Sequence, residues 1–262
     1  MIGRISKKLY IGLIILFMYA PIAVLIALSF NSSRSRVVWE GFTLKWYRTL
    51  FSSFALTDAL QTTLLLALLS AAIATLIGLF AAIGIYAMRI KGQKVMLFFT
   101  NIPLLNADIV TGIALMLWFV KFIPLGFGSV LFAHITFNIP YVILCILPKL
   151  ETLDIRQYEA ARDLGATSFY AFIRIVIPDL ASGILAGFFM AMTMSMDDFV
   201  ITYFTKGPGV NTLSTLIYGE IRKGIKPEMY ALSTILFLMV LIILIIINFL
   251  TRNSSGKTSD NK

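Results

Sequence analysis

Residues 151–178, ETLDIRQYEAARDLGATSFYAFIRIVIP, form a charged segment that interrupts a very apolar chain. Asp154 is placed to cap a helix, with Gln157 three residues later as its reciprocal partner. Gly165 suits the left-handed conformation that ends such a helix, and a second helix could follow it. Pro178 marks where we expect the next apolar run to begin. The segment therefore predicts a compact helix–turn–helix between two apolar runs.

The first predicted helix of this segment carries Ala160 and Ala161 side by side. Small side chains leave a surface that another protein can approach closely. These residues alone leave two interpretations open, a structured loop or a docking element for a partner.

The rest of the chain is dominated by apolar residues. Of the 262 residues, 59% are hydrophobic and 13% are charged, and the mean hydropathy is +0.90. A soluble domain is nearer a quarter charged, and the apolar runs here have about the length that an α-helix needs to cross a bilayer. This predicts an all-α, polytopic membrane protein with a single transmembrane domain of six helices. We expect spans at about 9–30, 59–88, 95–120, 129–147, 180–204 and 230–250, and a disordered tail at 251–262.

Six helices place both termini on the same side of the membrane. The short loop Arg89–Lys94 is basic, and short basic loops favour the cytoplasmic side. With cytoplasmic termini, the inner segments hold 13 of the 22 Lys and Arg residues. We therefore expect both termini and residues 151–178 to be cytoplasmic, although the opposite orientation stays open. The net charge of +9 does not require a nucleic-acid partner, because basic residues collect at the inner ends of spans.

The sequence argues against an internal disulfide, a metal site and a nucleotide site. Cys145 is the single cysteine, and His134 is a single histidine without further ligands at metal-binding spacing. Residues 256–258 read GKT, but Thr251 stands where a P-loop needs its first glycine. We therefore expect no cofactor, and we expect any ATP hydrolysis to occur in another chain.

The stretch EAARDLGATSFYAFIRIVIP, residues 159–178, resembles the EAA motif of ABC-transporter permeases. Ile177 stands where leucine is usual. In that family the segment is a coupling helix, which docks into a groove on a separate ATPase subunit. The resemblance implies an ATPase-coupling role for four residues. They are Glu159, Ala160, Ala161 and Gly165.

The resemblance extends over nearly the whole chain to the spermidine/putrescine permeases of the binding-protein-dependent, MetI-like family. It is carried by SFNSSR (29–34), KWYRTLF (45–51), HITFNIPYV (134–142) and the long stretch from SMDDFVITYF onward (195–235). It implies a MetI-like six-helix fold and polyamine import across the bacterial inner, or plasma, membrane. The implied partners are two copies of a PotA-like ATPase, a PotB-like second permease and a PotD-like external polyamine-binding protein.

Adjacent carboxylates, Asp197 and Asp198, stand near the end of the apolar stretch GFFMAMTMSMDDFVITYF, residues 187–204. An Asp inside a span costs about 2.5–3.5 kcal/mol on insertion scales, and it usually faces a water-filled path or a partner. A helix that begins at Pro178 would place Asp197 about 28 Å along it, near the outer mouth. Asp108, about a dozen residues into the third span, would lie near mid-membrane. Three acids along a path suit a flexible polycation, whose ammonium groups are separated by methylenes.

A purely structural role for these acids is the alternative. Asp197 and Asp198 could cap a helix or bridge to a neighbour, and Asp108 could satisfy backbone groups of a helix broken near Pro103 and Asn106.

The family resemblance implies that Asp108, Asp197 and Asp198 act in polyamine passage, together with Ser195 and Trp46. Ser195 lies three residues before Asp198, so we expect it to donate a hydrogen bond to that carboxylate. Trp46 is either an interface anchor or an aromatic wall that attracts ammonium groups.

After the fifth span, Asn211 is expected to cap a short outer helix that ends by Gly224, and contact of this helix with the binding protein is a hypothesis.

Three other functions compete with polyamine import. The first is an ABC permease for another cation or small solute, which the placement of the acids does not exclude. The second is a secondary cation transporter, which needs no ATPase and often shows inverted internal repeats. The third is a structural membrane anchor, which would leave the acids unexplained.

Overall fold

The computed structural model describes residues 2–35, 37–223 and 226–256. Within these ranges the chain forms twelve α-helices, one π-helical turn and an isolated antiparallel bridge between Asn31 and Phe42. The prediction of an all-α fold is confirmed. The helices are α1 (Ile2–Ser29), α2 (Lys45–Ser52), α3 (Phe54–Tyr86), α4 (Ile90–Leu105), α5 (Asp108–Phe122), α6 (Phe127–Glu151), α7 (Ile155–Asp163), α8 (Ser168–Ala171), α9 (Ile177–Asp197), α10 (Val200–Thr205), α11 (Leu213–Lys223) and α12 (Pro227–Gly256).

In the described part of the chain, five helical segments are long and apolar enough to cross a membrane, and a bent pair of helices supplies a sixth if it counts as one span. These numbers agree with a polytopic protein of five or six spans. The five segments are Tyr10–Ser29, Phe54–Tyr86, Phe127–Glu151, Ser168–Asp197 and Pro227–Ile246.

The third predicted span, 95–120, is not one straight helix. Helix α4 ends at Leu105, helix α5 begins at Asp108, and the two are bent by 101°. Pro103 cannot donate to the preceding turn, which weakens the end of α4. Asn106 and Ala107 are extended, and the side-chain Nδ2 of Asn106 donates to Thr111 Oγ1 at 3.2 Å. Asp108 is therefore the first residue of a helix. The sequence analysis had expected it about midway along the third span.

The helix–turn–helix predicted for residues 151–178 is present. The Asp154 carboxylate accepts from the Arg156 amide at 3.1 Å, whereas Gln157 donates its backbone amide to the Asp154 carbonyl. Gly165 has a φ of +90°, and the next amide, that of Ala166, donates back to the Ala161 carbonyl. This is the left-handed helix end that the glycine predicted.

The fifth span begins earlier and ends earlier than predicted. Helix α8, a π-helical turn over Phe172–Val176 and helix α9 form one segment from Ser168 to Asp197. Pro178 therefore lies inside this segment, just after the wider turn, in which Ile177 donates to the Phe172 carbonyl. A proline lacks the amide that would continue a regular ladder, and a local π-turn is one way to satisfy the backbone groups that such a break frees.

Two compact units divide the chain. One consists of residues 1–58 and 216–241, and the other of residues 59–215 and 242–262. The larger unit has its core on α3, α6 and α9, and buried members of that core include Ala74, Val142, Ile146 and Leu180.

Close packing of α6 against α9 organises the larger unit. Helix α9 presents small buried residues at every fourth position, so the two backbones can approach. A Cβ on Gly187 would lie 3.2 Å from Val142 Cγ1, and one on Gly183 would lie 3.1 Å from the Cys145 carbonyl oxygen. The small residues are Gly183, Gly187, Ala191 and Ser195.

The segments after α10 differ from the prediction in detail. Helix α11 is present, but Thr212 and Thr215 form its N-terminal hydrogen bonds. Asn211 accepts from Lys206 Nζ at 2.8 Å instead, and burial lowers the pKa of that lysine. Helix α12 continues to Gly256, so residues 251–256 are helical where a disordered tail was predicted. The rest of that tail, 257–262, and the end of α11 predicted at Gly224 lie outside the described residues.

Candidate functional site

A cavity of about 240 Å³ lies in the larger unit, where the ends of α5 and α9 meet α6 and α10. It brings together the three acids that the sequence singled out. The lining residues are Asp108, Phe137, Tyr141, Met194, Asp197, Asp198, Phe199, Val200 and Ile201.

The acids meet because each stands at a helix terminus. Asp108 is the first residue of α5, Asp197 is the last residue of α9, and Asp198 follows in an extended conformation with ψ of 125°. Helix α10 then packs against α5 at Gly112, where an added Cβ would lie 3.1 Å from Phe204 Cδ2. The bend before α5 and the break after α9 therefore create one acidic site from distant parts of the sequence.

Two of the acids are available to a ligand. Asp108 and Asp197 are exposed, and among the described residues neither side chain has a hydrogen-bond or ion-pair partner. Asp197 lies at the C-terminus of α9, where the helix dipole is negative and adds to the charge of the carboxylate. The residues that line the cavity within the described ranges include three carboxylates and neither lysine nor arginine. The site therefore favours a cation.

Asp198 differs from the other two acids because donors surround it. Its Oδ1 accepts from the Ile201 amide at 3.2 Å, and its Oδ2 accepts from the amide and the hydroxyl of Thr202, both at 2.7 Å. His134 Nε2 lies 3.4 Å from the same Oδ2. The carboxylate thus caps helix α10 while it also lines the cavity.

The predicted hydrogen bond from Ser195 to Asp198 is wrong. Ser195 is 2% exposed, its hydroxyl lies 2.8 Å from Ser70 Oγ, and it accepts from Asn138 Nδ2 at 2.7 Å. The prediction assumed a helix that continues past Asp198, but α9 ends at Asp197. Ser195 instead joins α3, α6 and α9 in a buried polar contact, and any part it has in polyamine passage stays a prediction.

His134 and Thr202 are site residues that the sequence analysis missed. Both side chains are fully buried, and His134 Nε2 lies 2.9 Å from Thr202 Oγ1. The sequence analysis considered His134 only as a possible metal ligand. A signal was available, because His134 and Asn138 are polar, lie four residues apart on one face of an apolar helix, and so need polar partners.

Trp46 lies in the other compact unit. Its indole Nε1 donates to the Asn31 carbonyl at 2.6 Å, its side chain is 3% exposed, and Lys45 Nζ lies 5.5 Å from its ring centroid. These contacts give Trp46 a structural role within its own unit. A role in polyamine passage stays a prediction.

The residues predicted to couple the chain to an ATPase are accessible. Glu159, Ala160 and Gly165 are exposed, and Ala161 is half-buried. The turn beside them also exposes Leu164, at 89%, and Phe169, at 73%. An exposed apolar surface of this kind suits a protein partner.

Long apolar helices together with an acid-lined cavity are typical of a membrane transport subunit. A family model described as "binding-protein-dependent transport system inner membrane component" matches residues 74–259. The chain belongs to this family of ABC-transporter permeases.

Several curated relatives are similar along most or all of their length. The spermidine/putrescine transport system permease protein PotC of Escherichia coli K12 is 38% identical over 264 residues, which cover 100% of both chains. PotC of Haemophilus influenzae is 32% identical and covers 95% of this chain and 97% of its own. The putrescine permease PotI of E. coli K12 is 36% identical and covers 84% of this chain and 81% of its own.

Solved structures share the fold at low identity. A bacterial ABC transporter for the acidic polysaccharide alginate aligns with a TM-score of 0.71 at 16% identity, over 96% of both chains. An amino-acid ABC transporter with histidines aligns with a TM-score of 0.58 at 22% identity, over 81% of this chain and 100% of its own.

Proposed function

We propose that this chain is the membrane-spanning permease subunit of an ATP-driven importer for polyamines such as spermidine and putrescine. The observation that carries the proposal is the cavity in which Asp108, Asp197 and Asp198 converge. The fold alone does not select the substrate, because it also occurs in a transporter for an acidic polysaccharide. A cavity lined by carboxylates does select the substrate class, because it attracts a polycation and repels an anion. The names of the curated relatives support the same substrate class.

The proposed assembly contains two PotA-like ATPase copies, a PotB-like second permease and a PotD-like external binding protein. The chain lies in the bacterial inner membrane with both termini cytoplasmic. ATP binding draws the ATPases together, and the helix–turn–helix that contains Glu159 and Gly165 passes this motion to the spans. The substrate must bind the two states of the cavity with different affinity, because otherwise ATP could not drive its transport.

Substitution of the two exposed acids, Asp108 and Asp197, tests the proposed substrate. In cells without another polyamine uptake system, Asp108→Asn and Asp197→Asn should each reduce labelled spermidine uptake about tenfold, which corresponds to about 1.4 kcal/mol. Asp179→Asn is the matched control, because Asp179 is exposed and lies at the opposite end of α9. Parental uptake in both variants would contradict the proposal, provided that membrane levels of the protein are equal.

A different cation is the second candidate cargo. Cells that express the parental complex and accumulate neither spermidine nor putrescine, but do accumulate another organic cation, would favour that alternative. The chain would still be an ABC permease, but its substrate would be that other cation.

A further inference from the structure

Helix α10 is a six-residue element whose two ends are held separately by α6. At its C-terminal end, Ser129 Oγ donates to the Thr205 carbonyl at 2.8 Å. At its N-terminal end, His134 meets Thr202 and Asp198. Removal of the His134 ring therefore loosens the acidic end of α10 and leaves its other attachment in place.

The position of one proton follows from the hydrogen-bond geometry. The Thr202 hydroxyl has one hydrogen, and it points to Asp198 Oδ2 at 2.7 Å. Thr202 Oγ1 must then accept in its contact with His134, so His134 Nε2 carries a hydrogen and donates at 2.9 Å. This gives a directed chain from imidazole to hydroxyl to carboxylate. His134 Nδ1 is buried and has no partner among the described residues.

The two oxygens of Asp198 are occupied unequally. Oδ2 accepts from the amide and hydroxyl of Thr202 and lies 3.4 Å from His134 Nε2. Within the part of the chain that the structure describes, Oδ1 accepts only from the Ile201 amide, at the longer distance of 3.2 Å. A carboxylate oxygen has two acceptor positions, so Oδ1 keeps capacity for a further donor.

We propose that His134 is a positioning residue, which acts through Thr202 to fix Asp198 so that its Oδ1 is presented to an ammonium group of the bound polycation. This inference rests on the proposed function. It divides the acids into two kinds: Asp108 and Asp197 have no hydrogen-bond or ion-pair partner among the described residues and can follow a moving ligand, whereas Asp198 is a fixed contact. A fixed carboxylate loses little freedom on binding, so it should contribute chiefly to affinity.

A double-mutant cycle tests whether His134 acts through Asp198. His134→Leu and Thr202→Val should each raise the KM for spermidine about tenfold, with a smaller change in maximal uptake, because each breaks the chain of hydrogen bonds that fixes the Asp198 carboxylate. The KM of the variant that combines His134→Leu with Asp198→Asn should be no higher than the KM of Asp198→Asn alone. His134→Leu combined with Asp197→Asn is the matched control, in which the two effects should multiply.

Conservative substitutions distinguish positioning from packing. The His134→Gln and Thr202→Ser variants each keep a suitable hydrogen-bonding group and should recover a KM within about threefold of the parental value. Full multiplication of the His134→Leu and Asp198→Asn effects would overturn the proposal. A fall in maximal uptake with unchanged KM would overturn it as well, because that pattern indicates packing alone.

Thermal unfolding of the same purified variants separates this proposal from the proposed function. If the parental complex carries no polyamine, the proposed function fails. Coupled effects of His134→Leu and Asp198→Asn on the unfolding midpoint would then still support the proposal that His134 fixes Asp198. Additive effects would overturn that proposal.

Discussion

At the scale of the residue, the two neighbouring aspartates have different surroundings. Asp198 receives three hydrogen bonds from Ile201 and Thr202, and Asp197 has no polar partner among the described residues. Adjacent positions in the sequence therefore do not imply the same task. The difference arises because α9 ends between them and Asp198 turns out of the helix.

Alanine substitution should reveal this difference in stability. Asp198→Ala should destabilise the complex by about 1–3 kcal/mol, because it leaves the buried amide and hydroxyl of Thr202 and the amide of Ile201 without their acceptor. Asp197→Ala should leave the unfolding midpoint unchanged, since its side chain is exposed and unpartnered among the described residues. Thermal unfolding of the purified complexes measures both. Equal losses in the two variants would mean that Asp198 is not the cap described above.

At the scale of the element, sequence patterns predicted the helix–turn–helix of residues 151–178 better than the membrane spans. Asp154 and Gly165 identify the ends of α7 through chemistry that depends on neighbouring residues only. The break in the third span is different, because a window rich in apolar residues scores alike whether its helix is straight or bent by 101°. For the same reason the end of α9 at Asp197 was missed, and with it the true partners of Ser195.

The turn at Gly165 provides a prediction about coupling. Its φ of +90° is unfavourable for a β-branched residue, and the space around its Cβ position is open. Gly165→Val should therefore disturb the turn by backbone strain alone and reduce both ATPase copurification and uptake. Gly165→Asn is the control, because asparagine tolerates left-handed conformations better. Deletion of residues 159–165 with uptake intact would contradict a coupling role.

Glycine packing around α6 provides a second prediction at this scale. A Cβ on Gly78 would lie 2.6 Å from Val142 Cγ1, and one on Gly187 would lie 3.2 Å from the same atom. Gly78→Ala should therefore destabilise the protein by about 1–3 kcal/mol through overpacking, and Gly187→Ala should do so by less. Gly84→Ala is the matched control on α3, where nothing lies within 4 Å of the added carbon. Unfolding midpoints that rank Gly84→Ala as the worst variant would contradict the packing described.

At the scale of the whole molecule, the long apolar helices are those of a membrane-spanning ABC permease. Composition and apolar runs suffice to predict a polytopic membrane protein, since about twenty apolar residues are needed for each crossing. The acid-lined site could be predicted only in part, because it depends on how α5, α9 and α10 end and meet in space. The acids stood out because carboxylates are costly in apolar spans, and the family resemblance implied their role. The contacts of His134 with Thr202 and Asp198 depend on how α6 packs against α10.

The most direct test of the central claim is ATP-driven accumulation of labelled spermidine by the purified complex in proteoliposomes. The parental complex should accumulate spermidine only when the ATPase subunit and ATP are both present. The same assembly with Asp108→Asn and Asp197→Asn combined should fall to the level of empty vesicles, with equal incorporation of all subunits as the control. Parental accumulation by that double variant, or accumulation without an ATPase subunit, would contradict the account.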